Sequence, residues 1–120
     1  MKNYEELSSI LGNLKNRGNL EGIIFSFRDG KLIAENNDIE LNKDNFISMC
    51  ASVLESAVGI GETVGNQKIN RVIAELKEKT VILLECDDKT FLILIIKVES
   101  QISEVFSRLD DIIQKIITLY

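Results

Sequence analysis

The sequence predicts an α+β domain: a five-stranded antiparallel sheet with one helix on one face and two terminal helices on the other, in the order α-β-β-α-β-β-β-α. Three observations predict it. The runs Val81-Ile82-Leu83-Leu84 and Phe91-Leu92-Ile93-Leu94-Ile95-Ile96 are apolar at every position, so strands built from them need cover both above and below the sheet. Asp29-Gly30 separates two β-rich runs, and Asp87-Asp88-Lys89 separates the two doubly apolar ones, which predicts two hairpins. Three further segments repeat their apolar residues with the helical period and supply the cover. With 120 residues, no proline, no linker and no low-complexity tract, residues 1–120 are expected to form a single domain.

The first helix is expected over Tyr4 to Lys15, where Leu7, Ile10, Leu11 and Leu14 share one stripe, Asn3 is placed as N-cap and Glu6 follows. A strand over Gly22 to Phe27 comes next, then the Arg28-Asp29-Gly30 turn, in which glycine supplies the positive φ, and a second strand over Lys31 to Glu35. Polar Asn36 to Asn42 reads as a loop, with Asn42 able to cap the helix that follows. That helix spans Lys43 to Val64, and Gly59, Gly61 and Gly65 loosen its end. Within Ile69 to Leu76, Val72, Ala74 and Leu76 alternate with Arg71, Ile73 and Glu75, the half-apolar pattern of an edge strand. Thr80 to Cys86 and Thr90 to Val98 form the second hairpin, at the centre of the sheet. The last helix is expected over Gln101 to Leu119, with Glu104 and Arg108, and Asp111 and Lys115, at the i, i+4 spacing that supports an exposed helix face.

Composition excludes several chemistries. The chain has no His, which removes the commonest general base and metal ligand and every Ser/His or Cys/His nucleophile pairing. Two cysteines, Cys50 and Cys86, sit in apolar segments and cannot by themselves make a disulfide framework or a four-ligand zinc site. Net charge is −5 with scattered Lys and Arg, which argues against a nucleic-acid surface. The charged start of the chain is unlike a signal peptide, and no apolar run approaches the roughly 20 residues of a membrane helix. A cytoplasmic protein with no membrane insertion, no catalytic residues, no metal and no cofactor is expected.

The central helix is the most informative element. On a wheel of 100° per residue, Phe46, Ile47, Met49, Cys50, Ala51, Val53, Leu54, Ala57, Val58, Ile60 and Val64 fill about 200°, twice the stripe of an ordinary amphipathic helix. The remaining face carries Ser48, Ser52, Ser56, Gly59 and Thr63, with Glu55 and Glu62 as its charges. Solvated faces carry more Lys and Glu than this, so the helix is expected to meet protein on more than one side.

Several sharper motifs reduce to ordinary structure. The Gly59 to Gly65 run has Val64 where a dinucleotide fingerprint needs its third glycine, and it follows a helix rather than a strand, so it reads as a closely packed helix end. Asp110 and Asp111 point about 100° apart on a helix and read as a solvated face, and Asp87 and Asp88 read as turn residues. Glu35, Asp38 and Glu40 lie in or beside a loop. Arg28 and Arg71 read as a hairpin tip and a strand residue facing solvent, with a contact to an acidic partner as the alternative.

These elements together resemble the roadblock/LC7 family of small dimeric adaptor domains. The resemblance rests on Gly18 and Gly22 ahead of the first strand, Arg28-Asp29-Gly30 followed by Leu32-Ile33-Ala34, the Ser/Ala/Gly-containing central helix, and the closing strand, hairpin and helix. It covers nearly the whole chain as a pattern and element order rather than as signature residues, and longin and profilin-like domains share the layout. The resemblance implies that two copies pair their third strands and central helices into one continuous sheet, or that another roadblock chain replaces the second copy. It also implies a Ras-like small GTPase as partner, regulated or positioned by a non-enzymatic adaptor. On this reading Ile47, Ala51, Leu54 and Val58, with Arg71 and Ile73 of the edge strand, form the self-interface, and Ser48, Ser52 and Ser56 face the partner. The alternative is a small-molecule sensor of profilin-like or PAS-like layout, with a pocket between sheet and central helix lined by Phe25, Phe27 and Met49.

Overall fold

The computed structural model describes residues 4–17, 20–97, 114 and 116–118. Helix α1 (Tyr4–Arg17) is followed by strands β1 (Leu20–Phe27) and β2 (Leu32–Asn37), helix α2 (Lys43–Thr63), and strands β3 (Val72–Glu75), β4 (Lys79–Glu85) and β5 (Thr90–Lys97). Gln114 and Ile116 to Thr118 are helical, and Ile116 is buried beside α1. The remainder of the expected last helix, with Asn3 and Gly18, lies outside the described residues. The five strands form one antiparallel sheet in the order β2-β1-β5-β4-β3, so the half-apolar strand is an edge and the fully apolar β5 is central, as their patterning requires.

The sheet divides the core in two. Leu7 and Leu11 of α1 pack with Ile23, Phe25, Ile82, Leu84, Leu92, Leu94 and Ile96 on one face. Ile47, Cys50, Ala51 and Leu54 of α2 pack with Ile24, Val81, Leu83, Phe91, Ile93 and Ile95 on the other. Alternate residues of β4 and β5 therefore serve opposite layers, which explains their continuous hydrophobicity. Acidic Glu5 and Glu6 in the first turn of α1 and basic Lys15 and Arg17 in its last complement the helix dipole.

The elements differ from the sequence expectation mainly at their ends. β2 continues to Asn37, two residues past Glu35, because Asn36 and Asn37 stay in register with Ile23 and Gly22 of β1. β3 begins only at Val72: Ile69 packs against the core as part of the loop leaving α2, which leaves four residues to pair with β4. Asn42 does cap α2, its side chain accepting a hydrogen bond from the Asn45 amide. Gly30, at φ +97°, closes the first hairpin.

Candidate interaction surface

α2 is apolar on both its inner and its outer arcs, and the structure decides which arc meets the sheet. Ile47, Ala51 and Leu54 are 1, 8 and 0% exposed. This corrects their assignment to a self-interface: they fill the layer over Ile93 and Phe91 within one chain and have no surface to offer a second copy. Val58 is half-buried at the edge of that inner arc. The exposed large apolar residues of α2 are instead Met49, Val53 and Ile60, at 63, 47 and 64%, continued by its C-cap residue Val64 at 63%. Met49, Val53 and Ile60 fall within about 40° of one another on the wheel and form a stripe along the outward side of the helix, which Val64 extends past its end. Ile73 and Leu76 extend exposed apolar surface onto and just beyond the edge strand β3, and Arg71 is exposed immediately before it.

All four stripe residues stand in the apolar arc of the sequence. The wheel measures the width of that arc but carries no information about which margin faces inward. The one local marker is Gly61, a buried position where a Cβ would collide with the Gln67 carbonyl. Its small size identifies the inner side, and the Gln67 amide bonds the Gly61 carbonyl at 2.8 Å, folding the departing chain against the helix end. Gly65 follows at φ +80°, so the glycine run is the closely packed helix end expected of it.

Ser48, Ser52 and Ser56 are all exposed. Ser48 lies against the first hairpin, where glycine at position 30 leaves room for its side chain. Beside it, Arg28 is no simple turn tip. Its Nη1 donates to Glu85 Oε2 at 2.6 Å and its Nη2 to Glu55 Oε2 at 3.1 Å, joining the first hairpin to the end of β4 and to α2. The sequence offers no local signal for these pairs, because the partners lie 57 and 27 residues away. Glu35, which lies in β2 rather than in a loop, pairs with Lys43 at 2.9 Å, and Asp38 pairs with Lys15, so both acids are occupied by ion pairs within the chain.

The residues expected to line a ligand pocket are not brought together. Phe25 packs on the α1 face of the sheet, whereas Met49 projects outward from α2 on the opposite side. Between sheet and α2 the space is filled by Ile47, Leu54, Phe91 and Ile93. Ser26 of β1 is buried, with its hydroxyl donating to the carbonyls of Phe27 and Lys31.

Burial raises the Cys50 thiol to about 11 and the Cys86 thiol to about 12, the latter helped by the neighbouring Asp87 and Glu85 charges. Both are protonated at neutral pH and are weak nucleophiles. Asp87 is a turn residue: its Oδ1 accepts from the Lys89 and Thr90 amides and the Thr90 hydroxyl. Among the described residues, no group of three or more Cys, Asp or Glu is arranged to hold a metal ion. None of their helices is long and apolar enough to cross a membrane.

This arrangement matches solved structures closely. MglB from Myxococcus xanthus superposes with a TM-score of 0.90 at 12% identity, over 98% of this chain and 97% of that one. The chain has the roadblock/LC7 fold. An MglB structure with a tetrameric arrangement matches at 0.89 and 12% identity, over 97% and 88% of the two chains. A roadblock/LC7 domain from Streptomyces avermitilis matches at 0.84 and 12% identity, over 92% and 94%. No family model matches the sequence, and no curated protein matches it either. The roadblock fold is thus carried here by pattern and packing, with little residue identity to these structures.

Proposed function

We propose that this protein is a non-enzymatic dimeric adaptor that binds a Ras-like small GTPase and positions it or regulates its nucleotide state, in the cytoplasm. The observation that carries the dimer is the exposed stripe of Met49, Val53, Ile60 and Val64, together with the edge strand β3 bearing Ile73 and with Arg71 just before it. Fully covering a side chain of this size is worth about 1.5 to 3 kcal/mol, a gross gain that association entropy reduces. A two-fold pairing of β3 with β3 and α2 with α2 would cover the stripe and satisfy the unpaired strand edge in one step. The same surface would accept a different roadblock chain as second copy. The roadblock fold and the tetrameric arrangement of one MglB structure support self-association.

The GTPase follows from the resemblance to roadblock adaptors, and the Ser48, Ser52 and Ser56 row is the part of α2 assigned to it. The mechanism is a population shift: an adaptor that prefers one switch conformation of its partner biases the partner toward it. Light scattering across a dilution series should give a species of twice 13.5 kDa that dissociates on dilution. Val53→Glu combined with Ile60→Glu should yield a folded monomer, and an unchanged mass would remove the stripe from the interface. Ser52→Arg should weaken binding to a panel of purified small GTPases while leaving the dimer intact. An undiminished isotherm would move the partner surface elsewhere.

A further inference from the structure

The rotation of α2 about its own axis is poorly determined by hydrophobicity. The inner arc carries Ile47, Cys50, Ala51 and Leu54, and the outer arc Met49, Val53, Ile60 and Val64. The two are centred about 120° apart and are both apolar, so turning the helix by that amount would exchange one greasy surface for another at little cost in burial. Directional contacts must choose between the settings. Those on the flank of α2 come from the tip of the first hairpin: Ser48 fits against Gly30, and Glu55 pairs with Arg28. The Arg28 side chain is 17% exposed and is anchored on its other side by Glu85, the last residue of β4, so the guanidinium is fixed to the sheet before it reaches the helix. Its amide also donates to the Lys89 carbonyl at 2.7 Å, which holds the two hairpins together at that end.

We propose that Arg28 is a positioning residue that sets the rotation of α2, through Glu55 on the helix and Glu85 on the sheet, and so decides which apolar arc the molecule presents. A planar guanidinium holding two carboxylates is directional where the surrounding apolar contacts are not. Its value lies in specifying one arrangement rather than in adding stability; a polar group at a single position can select register among apolar alternatives in this way.

The test uses two probes of opposite sign in the full chain. Met49, on the outer arc, is followed by hydrogen peroxide oxidation, and Ala51→Cys, on the inner arc, by N-ethylmaleimide alkylation, both read by peptide mass mapping. Introducing Arg28→Leu should slow oxidation at position 49 and speed alkylation at position 51, each by about tenfold, as a helix turning inward at one and outward at the other requires. Loosening or unfolding would speed both reactions, and loss of a covering second copy would speed oxidation at position 49. Either pattern, or no change, overturns the proposal. Glu55→Ala keeps the Arg28–Glu85 pair on the sheet and should reproduce the opposite shifts if Arg28→Leu does not fold; failure of this variant to do so also overturns it.

Discussion

The two arcs of α2 differ in position far more than in chemistry. Leu54 on the inner arc is fully enclosed by Phe91, Ile93 and their neighbours, while Ile60, six residues on, is 64% exposed. Both are branched aliphatic side chains of equal size. What separates them is the direction the helix faces, which is a property of the hairpin tip, the loop ends and the sheet beneath. Hydrophobicity in a sequence therefore reports that a surface will be covered, but not by what.

Truncating one residue on each arc should separate the two most widely. Leu54→Ala should lose about 2 to 5 kcal/mol in urea unfolding, since it removes buried methyl groups and leaves a cavity in a layer only one helix thick. Ile60→Ala should change the stability of dilute protein by no more than about 0.5 kcal/mol, the range of surface substitutions. Equal losses would mean that the outer arc is covered within the chain. A concentration-dependent loss confined to Ile60→Ala would instead locate its cover in a second copy.

A smaller effect tests the inner-side marker. Gly61→Ala places a methyl group against the Gln67 carbonyl and should destabilise by about 1 to 3 kcal/mol, the range of overpacking, whereas Gly59→Ala meets open space and should stabilise by a few tenths to about 1 kcal/mol. If both substitutions behave alike in thermal unfolding, the loop from Val64 to Ile69 does not pack as described.

The smallest expected effect lies in the turn between β4 and β5. Burial acts to raise the Asp87 carboxyl, but the Thr90 hydroxyl and the Lys89 and Thr90 amides outweigh it and hold the group below its ordinary value. A depressed folded-state pKa means that the contribution is fully present above the unfolded-state value and disappears as pH falls through the folded one. Asp87→Ala should therefore cost about 0.5 to 1 kcal/mol at pH 7, discounted for an exposed turn, and the difference from the parent should vanish under strongly acid conditions. A gap that persists there would assign the effect to backbone conformation rather than to the carboxylate.

Much of the fold was legible because its signals are local. The doubly apolar runs 81–84 and 91–96 required a sheet covered on both faces, Asp29-Gly30 required a hairpin, and the alternation around Ile73 required an edge; each follows from side-chain period or turn geometry within a few residues. The width of the apolar arc on α2 was legible for the same reason. Tertiary structure alone decided that Ile47, Ala51 and Leu54 turn inward and Met49, Val53, Ile60 and Val64 outward, that Phe25 and Met49 lie on opposite sides, and that Arg28 finds Glu55 and Glu85. Those outcomes depend on contacts between residues far apart in the chain, where the helical and strand periods carry no phase information from one element to the next.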